Sequence, residues 1–274
     1  MPDYLLVTVD CDLRAGDIGL RQASLERLLE VFAAHGVAGH ATWFLNENDF
    51  ALTENHPAFL REVVRRGDTV GVHDHYEPFR GIYAAEPIQA FCARSKASVE
   101  RWLTAEGCPE PVIYHRNGCL VQHPEVYEAL HNLGYAVVSE VYPGHALPDR
   151  AGYPAFDNRS LPCGILPYYH DASNYDAFES AHGCFLHFPI MHMGLADLDR
   201  GTVAQWKEAF ARRGIGDRMY VWLFHPYEIM NQERTGLADQ AVQRLVAHLG
   251  RFSDEHGMMF WSLAEGRAHL QRAV

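Results

Sequence analysis

Five short clusters in this chain of 274 residues carry side chains able to do chemistry. Asp10-Cys11-Asp12 sets two carboxylates two residues apart. In an extended chain they fall on the same side, where they share a cation or repel each other and split their pKa values. His73-Asp74-His75-Tyr76-Glu77 repeats that spacing with imidazoles, and Glu77 joins His73 on one face if the chain turns helical after residue 73. Imidazole and carboxylate at this density suit zinc or a related divalent ion. His115-Arg116-Asn117-Gly118 offers a guanidinium for a carboxylate or an anionic substrate. His225-Pro226 follows five apolar residues, which places an imidazole suited to general acid catalysis near neutral pH. Met191-His192-Met193 supplies one further imidazole, whereas His187 is expected to be structural.

Taken singly, these clusters read equally as solvated acids and packed histidines. The elements around them change that reading. Short apolar runs rich in β-branched or aromatic residues predict strands at Tyr4 to Val9, Gly39 to Leu45, Thr69 to His73, Val112 to His115, Ala136 to Ser139, Phe185 to Pro189, Tyr220 to Phe224 and Met258 to Trp261. Between them, Leu25, Leu28, Leu29 and Phe32 mark one helical face, and Phe59, Val63 and Val64 another. His123-Pro124-Glu125 starts a helix that closes near Gly134, and helices are expected over Leu237 to His256 and Leu263 to Leu270. The repeat implies an α/β fold whose parallel strands close into a barrel, and the clusters arrive at successive strand ends, where the loops of such a barrel converge.

Residues 141–183 break the rhythm with five prolines, several glycines and many Tyr and Asp. They read as one long insertion in a single domain spanning 1–274, either covering the substrate or forming a structural crossover with a short edge hairpin. Tyr142, Tyr168, Tyr169, Tyr175, Trp43 and Trp222 are candidate sugar-stacking faces, core or rim packing being the commoner fate of such residues.

Composition narrows the partners. The net charge is −12 and only Lys96 and Lys207 are lysines, so a phosphate-backbone binder is not expected. No apolar stretch approaches the length of a membrane helix. The N-terminus lacks a secretory pattern, and six scattered cysteines without a CxxC pair fit free thiols, so a cytoplasmic location is expected.

In order along the chain, Thr8-Val9-Asp10-Cys11-Asp12, Ala41-Thr42-Trp43-Phe44-Leu45, Val70-Gly71-Val72-His73, Tyr114-His115-Arg116-Asn117-Gly118 and Leu223-Phe224-His225 resemble the motifs of the polysaccharide deacetylase, or NodB-homology, family of metal-dependent carbohydrate esterases. The resemblance runs from Val7 to about Leu270. It implies an irregular (β/α)7-type barrel and one divalent ion, zinc first, with cobalt, manganese and nickel as alternatives. It further implies Asp10 as catalytic base, Asp12 and His73 as metal ligands, Arg116 as the partner orienting the base, and His225 as general acid. Two positions depart from the family pattern. Cys11 separates the usually adjacent aspartates, as in the Asp-x-Asp variant of some intracellular members, and the place of the second metal histidine holds Glu77. Of His75 and Glu77, His75 is taken as the third ligand because an imidazole keeps the site nearer neutral.

The implied activity is removal of an N-acetyl or N-formyl group from an amino sugar or glycan. The same residues would serve an amidohydrolase acting on a ureide or acyl-polyamine. An inactive barrel that binds glycans is the remaining alternative.

Overall fold

The computed structural model describes residues 2–12, 18–46, 57–75, 87–147, 156–171, 183–196, 198, 200–212 and 217–272. In chain order the strands are β1 (Asp3–Cys11), β2 (Thr42–Leu45), β3 (Thr69–Asp74), β4 (Tyr114–Asn117), β5 (Val137–Val138) and β6 (Ala146–Leu147). They continue with β7 (Phe156–Asp157), β8 (Tyr168–His170), β9 (Phe185–His187), β10 (Ile190–Met193), β11 (Arg218–Phe224) and β12 (Met259–Trp261). Every residue of β1 is buried, the mark of a strand covered on both faces. The segments Ile18–Ala34, Pro57–Arg66, Ile88–Ala105, Pro124–Asn132, Arg200–Arg212, Asp239–Gly250 and Leu263–Arg272 are α-helical. At the predicted helix start, His123 caps Pro124–Asn132 by accepting from the Glu125 N–H at 3.3 Å. No helix among the described residues is long and apolar enough to cross a membrane.

The main sheet runs β11-β1-β2-β3-β4-β5-β9 in parallel, with β10 on the other edge of β11. Strands β9 and β10 are one chain segment bent at Phe188-Pro189, with β9 pairing β5 and β10 pairing β11. The chain thereby closes an irregular barrel of seven staves, which matches the expected fold class. The eighth predicted strand is not a stave. Strand β12 pairs with Tyr4 to Leu6 of β1 while β2 takes Thr8 to Cys11 along the same edge, so β12 wedges open the lower part of the barrel.

Strand parity sorts the side chains. From β1, Leu5, Val7, Val9 and Cys11 join the cluster packed against the helices, with Leu25, Leu28 and Phe32. Tyr4 and Leu6 join the other cluster, with Phe44, Val137, Val221 and Leu223. Thr8 and Asp10 share the second parity, so the barrel interior passes from an apolar floor to a polar mouth.

The 141–183 segment divides in two. Strands β6 and β7 form a separate antiparallel hairpin, whereas β8 returns antiparallel to β9 as an edge of the main sheet. That pairing brings the buried rings of His170 and His187 to 5.4 Å. The His187 Nε2 accepts the Glu140 and Val141 N–H groups, each at 3.0 Å. Neither His170 nitrogen has a hydrogen-bond partner. Burial pushes His170 down to about 4 from 6.5 and holds His187 well below its ordinary value, with the His170 and Arg116 charges adding to the effect on His187. The unfolded chain therefore binds more protons than the folded one between pH 6.5 and about 4, and stability falls as pH drops through that window. His170→Phe is expected to flatten this slope by up to about 1.4 kcal/mol per pH unit, measured by urea unfolding from pH 7 to 4.5. An unchanged slope would show that His170 is not among the groups responsible.

Candidate metal centre

The barrel mouth holds a cavity of about 340 Å³ onto which Asp10, Asp12, His73, His75 and His225 all open. Beyond β1 the chain turns tightly, with the Asp12 N–H bonded to the Asp10 carbonyl at 2.8 Å, and both carboxylates face the cavity. Between them Cys11 points into the helix-side core. On β3 the same alternation sends His73 and then His75 inward, while Asp74 points away.

Asp12, His73 and His75 offer one ligand atom each, all within 4.8 Å of one another and all buried. His73 Nδ1 lies 3.0 Å from the Arg116 carbonyl, which can only accept, so Nδ1 carries the proton and Nε2 presents a lone pair. That Nε2 is buried without a hydrogen-bond partner, 3.7 Å from Asp12 Oδ1. His75 Nε2 lies 2.9 Å from Asp12 Oδ2, and the Asn46 amide donates to Asp12 Oδ1 at 3.0 Å. Burial alone would raise the Asp12 pKa, but the two imidazoles hold its carboxyl well below the usual range. A buried nitrogen lone pair without a donor, beside one carboxylate and a second imidazole, fits a divalent cation of the zinc or manganese class. A Cβ on Gly118 would lie 2.2 Å from His75 Nδ1, so that ring keeps its place only against glycine.

Beneath the mouth lies Arg116, fully buried on β4. It donates to Asp10 Oδ1 (2.9 Å), Thr8 Oγ1 (2.8 Å), the Ser139 carbonyl (2.7 Å) and Ser139 Oγ (2.8 Å). Its guanidinium carbon sits 4.4 Å over the Phe44 ring. Across the mouth, His225 Nδ1 is 3.0 Å from Glu228 Oε1, which also accepts the His225 N–H at 2.9 Å. Glu228 Oε2 accepts the Leu195 N–H at 2.8 Å, tying the end of β11 to the turn after β10.

Other candidate residues take different places. His192 lines an adjoining cavity of about 460 Å³ and bonds the Ala196 carbonyl through Nε2 at 3.0 Å. His187 lies within β9. Trp43 and Trp222 have the outward strand parity and are wholly buried, so neither offers a stacking face. Tyr168 is buried against His187, Tyr169 packs on the inner apolar cluster, and Tyr142 does line the mouth. Glu77 and Tyr175 lie outside the described residues.

The sequence reading passed over Glu228, Ser139, Asn46 and Thr8 as parts of the site. Glu228 stands three residues after His225, the offset of a capping box, and that spacing was available as a signal. It also passed over a buried group on the outward parity. His115 Nε2 lies 3.0 Å from Asp74 Oδ2, and His115 Nδ1 lies 3.4 Å from Glu140 Oε1. Burial would lower the pKa of His115, but the two carboxylates hold it above its ordinary value.

No family model matches the chain. No curated protein matches it in sequence. Solved structures do match in shape. A protein of Mycobacterium smegmatis described as a polysaccharide deacetylase aligns at TM-score 0.57 and 14% identity, over 99% of this chain and 91% of that one. One of Bordetella bronchiseptica, described as a polysaccharide deacetylase involved in O-antigen biosynthesis, aligns at TM-score 0.50 and 19% identity, over 89% and 90% of the two chains. Puue allantoinase aligns at TM-score 0.56 and 14% identity, over 96% and 88%. At these identities the likeness is one of fold. On that evidence and the closed seven-stave barrel, the chain has the fold of the polysaccharide deacetylases.

Proposed function

We propose that the chain is a metal-dependent hydrolase that removes an N-acyl group, acetyl or formyl, from an amino sugar or glycan. The observation carrying this reading is the convergence of the unpartnered His73 Nε2 with Asp12 and His75 beside an Asp10 already held by Arg116. Asp12, His73 and His75 would hold the ion, zinc first, with cobalt, manganese and nickel as alternatives. Such an ion supplies Lewis acidity, lowering the pKa of water from 15.7 toward about 7 and polarising a carbonyl.

The chain's own residues do the rest. Asp10 takes the proton of the attacking water, and the Arg116 bond to Oδ1 fixes which oxygen is available for it. His225 gives a proton to the departing nitrogen, without which an amine is a very poor leaving group. The Glu228 carboxylate holds the Nδ1 proton of His225, so Nε2 is the nitrogen left to act. Glu228→Ala is accordingly expected to lower kcat about tenfold or more with little change in KM, because the base and the metal ligands are untouched. Equal loss in both parameters would assign Glu228 to substrate binding instead.

The reading as a whole is tested by chelation, re-addition of zinc, cobalt, manganese or nickel, and a panel of substrates. N-acetyl- and N-formylhexosamines should be deacylated only after a metal is restored. Hydrolysis of ureides or acyl-polyamines with none of the hexosamines would move the activity to non-sugar amides, in keeping with the fold shared with an allantoinase. Neither bound metal nor turnover would leave a glycan-binding barrel.

A further inference from the structure

Away from the charged cluster, the described walls of the mouth are apolar. Leu120, Leu147, Phe156, Met193 and Leu223 line the same cavity as Asp10 and His225. Leu120, Phe156 and Leu223 belong to the interior apolar cluster, with Leu147 packed against it, so the wall continues the barrel's floor. Three features of the chain build it. The β6–β7 hairpin brings Leu147 and Phe156 over the mouth as a cross-strand pair. The turn after β4 carries two successive non-glycine residues in the left-handed region, Cys119 at φ 50° and Leu120 at φ 55°. Such backbone is costly and persists only where its surroundings impose it, and here it places Leu120 in the wall. Finally, the polar side chains nearby are already engaged. Asn117 Nδ2 donates to the Val121 carbonyl at 2.8 Å, and His145 Nδ1 donates to the Pro143 carbonyl at 3.0 Å while its ring stacks on Tyr142.

An acetyl methyl covers little of this wall, and a sugar ring laid on it leaves hydroxyls without partners. We propose that the preferred substrate carries an apolar group of about four or more carbons on the scissile amide, seated against Leu120, Leu147 and Phe156. This rests on the deacylase reading above and specifies its substrate. In the step itself the amide C–N bond breaks, the oxygen of water bonds to the acyl carbon, and the nitrogen gains a proton. The products are a carboxylic acid and an amine. The group can enter from the acyl carbon or from the nitrogen, and two substrate series separate these sources.

The test uses the full-length, metal-loaded protein. One series is N-acetyl-, N-butyryl- and N-hexanoylglucosamine; the other is N-acetylethylamine, N-acetylbutylamine and N-acetylhexylamine. In the series that matches the seated side, kcat/KM is expected to rise by up to about fourfold per added methylene. Phe156→Ser should collapse the ratio of longest to shortest substrate, and Leu120→Ser gives the same readout from the other side of the wall. A flat or falling profile in both series, with N-acetylglucosamine still hydrolysed, overturns the apolar-group proposal and leaves the deacylase reading standing. A rising profile that both serine variants retain also overturns it. Failure to hydrolyse any member of either series overturns the deacylase reading, and this proposal with it.

Discussion

Asp10→Asn is expected to lower kcat by about 10²–10⁴-fold while the purified chain keeps the divalent-ion stoichiometry of the unaltered protein. The separation of these two effects follows from geometry. Asp10 Oδ1 is bonded to Arg116, and Oδ2 lies 3.9 Å from His73 Nδ1, the protonated nitrogen of that ring. The cation-holding atoms belong to Asp12, His73 and His75, so the neutral amide at position 10 removes a proton acceptor and spares the ligand set. His73→Ala makes the contrasting case, because it deletes the one buried lone pair with no alternative partner and should empty the site of metal. Metal content by elemental analysis, alongside steady-state turnover, checks both. Wild-type kcat in Asp10→Asn, or loss of metal with it, would contradict the division of labour proposed for the two aspartates.

The second large effect concerns stability. Replacing Arg116 with Met should cost about 3–5 kcal/mol, read as a shift in the urea midpoint, because it strands the Asp10 carboxylate in the interior. Burial lowers the guanidinium's pKa and Asp10 acts against it, so the two charges depend on each other. Ser139 and Thr8 lose a donor as well. The double variant Asp10→Asn/Arg116→Met should therefore be less destabilised than the sum of the two single changes, since each single variant leaves an uncompensated partner. Strict additivity would show that the pair contributes no coupling and that Arg116 acts by packing on Phe44.

How much of this was legible beforehand differs by element. The strand ends and their order were readable because apolar runs close on polar residues, and the helix face at Leu25, Leu28 and Phe32 carries a clear period. Ile88–Ala105 gave no such signal. It buries Cys92, Ser95 and Ser98 among its apolar residues, so small polar side chains interrupt its periodicity. Trp43 and Trp222 illustrate a different failure, since residue type suggested stacking faces while strand parity turns both toward the helices.

By itself the sequence determined which side chains reach the mouth, because inward and outward positions alternate strictly along each strand and the polar residues fall at strand ends. Tertiary structure alone decided what those side chains do to one another. The partners of Arg116 lie 23 to 108 residues away, at Ser139, Asp10 and Thr8. The fit of His75 depends on Gly118, and the apolar wall on a hairpin laid across the mouth. Spacing along a chain carries no information on such contacts, which arise only when closure of the barrel sets separate strand ends within a few ångströms of each other.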